Sequence, residues 1–183
     1  LDLSCSFIDM GGGGAINYID EKEIAPRDII EAIEDVLKER NELLVLEPGR
    51  SIVGNAGALI TKVEYLKSSF AIVDAGMNDL IRPALYKAEH KIVDVNLSLK
   101  EKKTLKVVGP ICESGDYLSQ ETLLQADEGD YIAVLGAGAY GSVMSSNYNS
   151  RARAPEILVN GDNYRLIRKR ESVGDLINPE INL

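Results

Sequence analysis

Tryptophan is absent from the chain, histidine occurs once, and phenylalanine and cysteine occur twice each among 183 residues. Cys5 and Cys112 lie far apart, so a disulfide-stapled miniprotein and a CxxC-type or knuckle-type zinc centre are excluded, no metal site is expected, and a reducing compartment is. No apolar run approaches the roughly 20 residues that span a bilayer, and LDLSCSFIDM has no basic region ahead of an apolar one. The expectation is a soluble, cytoplasmic protein. Positive charge is scarce too: Lys+Arg 20 against Asp+Glu 29 leaves a net charge of -9, which opposes attraction to phosphate backbones or anionic lipids. Neither nucleic acid nor a membrane is an expected partner. The first residue is Leu1 and not Met, so the sequence is expected to be a piece of something longer.

What is present suffices for a sizeable core, since 45% of the residues are hydrophobic. Residues 3 to 10 form a short apolar run stopped by four glycines, Gly11 to Gly14, as at the end of a buried strand. Pro26 opens a helix with Ile29, Ile33, Val36 and Leu37 on one face, acids early (Asp28, Glu31) and bases late (Lys38, Arg40). Leu43 to Leu46 is short and apolar on both faces, as in a parallel sheet. Strand, helix and strand make one βαβ unit, which needs neighbours on its edges and faces. After Gly57 the period becomes two: Leu59, Thr61, Val63 and Tyr65 alternate with polar or differently facing residues. Further strands are predicted over residues 70–74, 91–95, 105–108, 131–135, 157–159 and 164–168, the last two joined through Asn160-Gly161, a hairpin signal.

Several short motifs could carry chemistry. The glycine run after a strand either presents backbone N–H groups to a phosphate or is a flexible turn. Glu47-Pro48-Gly49-Arg50 follows the second strand, at the same end of the sheet. It either completes an active-site rim or is a tight turn with a surface ion pair. Cys112-Glu113, within GPICESGD, sets a thiol beside a carboxylate; an inert core cysteine is the alternative. Arg82 and Tyr86 are four apart in RPALY and share a helical face, solvated unless a ligand claims it. Tyr140, in GAGAYG, either leans on a flat ligand or packs in the core. His90 sits in a polar stretch and is expected at the surface.

Each motif is weak alone, but their order is specific: GGG, EPGR, DAGMNDLIRPALY, GPICESGD, GAGAYG. In that order the chain resembles, over essentially its whole length, the C-terminal half of the diaminopimelate decarboxylase family. These are pyridoxal 5'-phosphate enzymes of the alanine-racemase-like class, fold-type III. The resemblance implies an α/β plus β architecture. Residues 1–57 would be the last βαβ part of a TIM-type (β/α)8 barrel, and residues 58–183 a mainly antiparallel β-barrel or sandwich domain.

The resemblance also implies site roles. Gly11, Gly12 and Gly13 match the loop that holds the cofactor phosphate, and Glu47 the acid on the pyridinium nitrogen, with Pro48 and Gly49 in the same cofactor-binding turn. Arg50 belongs to that cofactor-binding turn too and, with Arg82, matches arginines that contact substrate; Tyr86 and Glu113 match further substrate contacts, and Tyr140 a residue touching both cofactor and substrate. Cys112 matches the catalytic proton donor at Cα. The implied reaction converts meso-2,6-diaminopimelate to L-lysine and CO2 in a homodimer with shared active sites. Two departures stand out. Gly14 and Ala15 replace a bulky apolar residue and a glycine of the family pattern. No lysine from Lys22 onward stands in the context of the family's cofactor-linking lysine, which lies upstream in the missing N-terminal barrel half, so the chain alone is expected to be inactive. Alternatives are a decarboxylase of another basic amino acid or polyamine precursor, which Arg82 disfavours, and a non-catalytic regulatory homologue, which Cys112 and Glu47 disfavour.

Overall fold

The computed structural model describes residues 5–13, 16–19, 25–96 and 100–180; Gly14, Ala15 and Lys22 lie outside them. Strand β1 (Phe7–Asp9) pairs in parallel with β2 (Leu43–Val45), and helix α1 (Pro26–Leu37) connects them. The helix starts on Pro26, as the sequence predicts, because a missing N–H costs nothing in the first turn and the fixed φ is already helical. Lys38 caps the other end and Arg40 lies beyond it, so neither base is in the last turn. Ile29, Ile33 and Leu37 are half-buried, whereas Val36 is 81% exposed and off the inward stripe. Strand β2 is not buried on both faces as expected: Leu43 is 68% exposed, because two strands and one helix leave most of a sheet face uncovered.

Helix α2 (Arg50–Val53) and a 3-10 turn (Gly54–Ala56) lead into β3 (Ala58–Lys67), the ten-residue strand in the middle of the larger sheet. Then follow β4 (Phe70–Val73), helix α3 (Arg82–Tyr86), β5 (Ile92–Asp94), β6 (Lys103–Val108), β7 (Tyr117–Leu124) and β8 (Tyr131–Leu135). They form one sheet in the order β5-β8-β3-β4-β6-β7, antiparallel except for β4 beside β6. The first half of β3 pairs with β8, from Ala58↔Leu135 to Lys62↔Tyr131, and the second half with β4, from Val63↔Val73 to Lys67↔Phe70. A register shift between Val63 and Tyr65 marks the changeover, and irregularities of this kind bend a strand. The sheet curls until its edges meet: Asp94 of β5 accepts hydrogen bonds from the amides of Gln125 (3.0 Å) and Ala126 (2.9 Å), just past β7. Val63, Val73, Leu80, Val107, Leu118 and Ile132 fill the interior of this nearly closed mixed sheet.

Strand β7 has no counterpart among the predicted strands, because its centre, Ser119-Gln120-Glu121-Thr122, breaks the apolar alternation. The predicted hairpin is present as β9 (Glu156–Asn160) and β10 (Asn163–Arg168) around a two-residue loop, with Gly161 at φ 58°. Helix α4 (Val173–Ile177) follows, held by a capping box in which Ser172 and Asp175 bond each other's backbone N–H.

Where the chain passes from the βαβ unit into the sheet, backbone meets backbone. Ala137 and Gly138, just past β8, donate to the carbonyls of Gly57 (2.8 Å) and Gly54 (3.0 Å). A methyl group on Gly138 would run into the carbonyl oxygen of Val53, and one on Gly57 would stand 2.6 Å from the Gly138 Cα. Neither obstacle is a flexible side chain, so the two backbone segments have to part. Gly138→Ala is expected to destabilise the full-length protein by about 3 kcal/mol, read as a shift in the urea midpoint. The control Gly115→Ala, where nothing lies within 4 Å, should stay within about 0.5 kcal/mol. Equal shifts would show that the contact yields without cost.

Candidate active site

The two strand-end motifs lie on one rim, as their positions after β1 and β2 require. Met10 donates to the Val45 carbonyl (3.0 Å) and Glu47 to the Gly11 carbonyl (2.8 Å), so the glycine run and the EPGR turn are laced together. A Cβ on Gly12 would sit 2.8 Å from the Glu47 carbonyl oxygen, which is why no side chain fits there. Gly11 (φ 69°) and Gly13 (φ 92°) have nothing within 4 Å of their Cβ positions. The Gly11 amide itself donates to Asp9 Oδ1 at 2.7 Å.

Glu47, Pro48 and Gly49 are exposed on this rim. No ion pair joins Glu47 to Arg50 among the described residues, so the surface-pair alternative for this turn fails. Arg50 instead places its guanidinium carbon 5.4 Å from the centroid of the Tyr140 ring, within cation-π range. Its Nε is buried and without a hydrogen-bond partner. Tyr140 is 43% exposed rather than packed in the core, and its backbone takes φ 60°. The Gly57 and Gly138 contact brings GAGAYG beside the EPGR helix.

Arg82 and Tyr86 bound α3, but they do not share a solvated face: Arg82 is 7% exposed and Tyr86 60%. The Arg82 guanidinium donates through Nη1 to the Tyr18 hydroxyl and lies 4.4 Å from the centroid of the Tyr18 ring. His90 is not at the surface either. It is 4% exposed, its ring stands edge-on to Tyr18 at 4.7 Å, and Nδ1 lies 2.8 Å from the Leu135 carbonyl. A carbonyl accepts only from N–H, so the proton is on Nδ1. Burial pushes its pKa below the ordinary 6.5; the bond to Leu135 opposes this and the Arg82 charge adds to it. The polar sequence around His90 misleads because the chain turns inward there to begin β5.

Cys112 and Glu113 ride on an exposed loop, so the inert-core alternative for the thiol does not hold. That loop is pinned from beneath by Asp116, 5% exposed, whose carboxylate accepts from the amides of Ile111 (2.6 Å) and Met77 (2.7 Å). One buried carboxylate thus fastens GPICESGD to the DAGMND turn ahead of α3. Tyr148 donates to Glu113 at 3.3 Å. Among the described residues no hydrogen bond or ion pair links the Cys112 loop to residues 11–13 or 47–50. Tyr18, Asp116 and Tyr148 escaped the sequence reading. Asp116 carries a signal in hindsight, a carboxylate closing a turn between glycines, whereas Tyr18 has none, since its partners are 64 and 72 residues away.

Two parallel strands ending in a glycine loop and an acid-bearing turn, set against a nearly closed mixed sheet, are the architecture of the sheet domain of a fold-type III decarboxylase. The family profile described as "Pyridoxal-dependent decarboxylase, C-terminal sheet domain" matches residues 6–138. A diaminopimelate decarboxylase of Aquifex aeolicus is 48% identical over 183 residues, covering 97% of this chain and 44% of that protein. One of Haemophilus influenzae is 50% identical, covering 95% of this chain and 43% of that protein. The crystal structure of diaminopimelate decarboxylase from Helicobacter pylori complexed with L-lysine superposes with a TM-score of 0.83 at 43% identity, over 94% of this chain and 44% of that one. The chain belongs to the pyridoxal-dependent decarboxylases and spans less than half the length of these relatives. No helix among the described residues is long and apolar enough to cross a membrane.

The buried His90 makes stability depend on pH. Its folded-state pKa lies below 6.5, so the unfolded chain takes up the proton first and stability falls as the pH drops below that value. His90→Phe in the full-length protein removes this titration. Its stability deficit against wild type, large at pH 7, should shrink towards pH 5 in urea unfolding. A deficit independent of pH would mean that His90 does not titrate differently on unfolding.

Proposed function

We propose that the chain is the C-terminal part of a pyridoxal 5'-phosphate-dependent decarboxylase that removes CO2 from the D-centre of meso-2,6-diaminopimelate and releases L-lysine. The observation that carries this reading is the rim made by residues 11–13 and 47–50. A glycine loop with two positive-φ residues open to solvent suits a phosphate, and an exposed carboxylate stands on the adjoining turn. Gly12 and Gly13 would hold the phosphate with their amides, while Gly11, whose amide already bonds Asp9, shapes the turn. Glu47 would bond the ring nitrogen, with Pro48 and Gly49 setting its direction. When bound, the cofactor supplies an electron sink for the pair released as the C–CO2 bond breaks.

The rest is done by the chain's own side chains. Arg50, with an unpaired buried Nε, and Arg82, buried with no carboxylate beside it among the described residues, grip substrate carboxylates, the task for which a planar guanidinium is suited. Glu113 attracts the distal ammonium, and Tyr86 and Tyr140 line the ligand. The Cys112 thiol holds the proton that is delivered to Cα after CO2 leaves. In this reading residues 1–57 close a (β/α)8 barrel, residues 58–183 form the β domain, and the complete enzyme is a cytoplasmic homodimer whose Cys112 loops serve the partner's cofactor. Two observations support these interfaces: the exposed apolar residues of the βαβ unit, of α2 and of the hairpin, Leu43, Ile52, Val159 and Tyr164 among them, and the absence, among the described residues, of a hydrogen bond or ion pair between the Cys112 loop and the rim of its own chain.

Two experiments on the full-length enzyme test this. Arg82→Leu should lose about 2 to 5 kcal/mol of discrimination between diaminopimelate and lysine as substrates, measured as a ratio of kcat/KM values; an unchanged ratio removes Arg82 from the carboxylate site. Glu47→Ala and Cys112→Ala dimers should each be weak. After dissociation and reassociation of an equal mixture, activity should approach roughly a quarter of wild type, since about half of the dimers then carry one intact site. Recovery of only the average of the two variants would place Cys112 at its own chain's cofactor.

A further inference from the structure

Arg82 has an unusual environment for a guanidinium. It is 7% exposed, yet no carboxylate pairs with it among the described residues, and a buried charge without a counter-ion is costly. What holds it is Tyr18: the hydroxyl accepts from Nη1 and the ring lies against the guanidinium plane, 4.4 Å from its carbon. Tyr18 is itself held on two sides. His90 meets its ring edge-on, and Gly136 leaves room for it, since a Cβ there would stand 2.9 Å from the Tyr18 Cδ1. The backbone is fastened as well, the Lys91 amide donating to the Tyr18 carbonyl at 2.8 Å. His90 gives its Nδ1 proton to Leu135, and its Nε2 is buried with no hydrogen-bond partner for a second proton, so the ring adds no positive charge beside Arg82. The cluster therefore carries one net positive charge, fixed in direction and unanswered by any acid among the described residues.

Tyr18 also lies five residues beyond the last glycine of the rim loop. The same short stretch of backbone thus carries the phosphate-type loop at one end and the support of Arg82 at the other.

We infer that Tyr18 is the positioning residue that aims Arg82 at the distal carboxylate of the substrate and fixes its distance from the glycine loop, making Tyr18 a determinant of which substrate length and charge is accepted. This rests on reading Arg82 as the carboxylate grip.

The test uses the full-length enzyme with Tyr18→Phe, which keeps the ring and removes the hydroxyl, Tyr18→Leu, which removes both, and Arg82→Leu as reference. Two quantities are read: the ratio of kcat/KM for diaminopimelate to that for lysine, and equilibrium binding of pimelate, a non-reacting dicarboxylate, followed calorimetrically. Tyr18→Phe should lower the ratio roughly tenfold, the effect of losing a hydrogen bond to a charged group, through KM more than kcat, and should weaken pimelate binding by a similar factor. Tyr18→Leu should approach Arg82→Leu in both. A merely structural role would lower both substrates' kcat/KM alike, leaving the ratio unchanged, and that result overturns the inference. If Arg82→Leu shifts the ratio and Tyr18→Phe does not, Arg82 remains the grip and Tyr18 has no part in it. If Arg82→Leu itself leaves the ratio unchanged, the reading of Arg82 fails and the inference with it. Should Tyr18→Leu fail to fold, Tyr18→Phe alone decides.

Discussion

A backbone-to-backbone contact between Gly57 and Gly138 is the constraint on which the site depends. Main chain approaches main chain so closely there that even a methyl group has no place. Two hydrogen bonds, from Ala137 and Gly138 to the carbonyls of Gly57 and Gly54, fix the direction of approach. The EPGR and GAGAYG segments are hung from this joint. On one side the EPGR turn and its short helix carry Glu47 and Arg50; on the other the GAGAYG loop carries Tyr140 and makes room for Tyr18. Side-chain packing alone is tolerant of small slips, whereas a glycine contact with two hydrogen bonds is not, so the cation-π distance between Arg50 and Tyr140 follows from the joint rather than from those two residues.

The electrostatics follow the same economy. Acids are used to fasten loops: the buried Asp116 collects the amides of Ile111 and Met77 beneath the Cys112 loop, and the half-buried Asp94 collects those of Gln125 and Ala126 where the sheet edges meet. The two arginines at the site receive no acid at all among the described residues. Despite an excess of carboxylates over bases, Arg50 and Arg82 are left to aromatic rings. A positive charge stabilised by a ring and a hydroxyl still lacks a counter-ion, and it can take one from a ligand without first breaking an ion pair.

Much of this fold was legible in the sequence where a local rule governs it. Pro26 starts a helix because only a helix's first turn tolerates it, the alternation from Leu59 to Tyr65 marks a two-sided strand, and Asn160-Gly161 announces a hairpin. The strand-end positions of GGG and EPGR correctly put both on one rim. Long-range partnerships were not legible. His90 reads as polar surface because its neighbours in sequence are polar, but its burial comes from Tyr18 and Leu135. Strand β7 hides because its polar centre lies beside β6 near the curl of the sheet, where one face is solvated. Tyr18 has no signature at all, since its importance is created by a guanidinium 64 residues away.

Cofactor retention in Gly138→Ala full-length enzyme, set beside hydrogen exchange at the same residues, tests the central claim most directly. If the glycine joint builds the site, the amides of Ala137 and Gly138 lose protection and pyridoxal 5'-phosphate binds at least about tenfold more weakly, while Val63 and Ile132 in the sheet interior exchange as slowly as in wild type. Unchanged affinity for the cofactor with the joint demonstrably open would contradict the account, because the rim and the sheet would then be shown to form the site independently of each other.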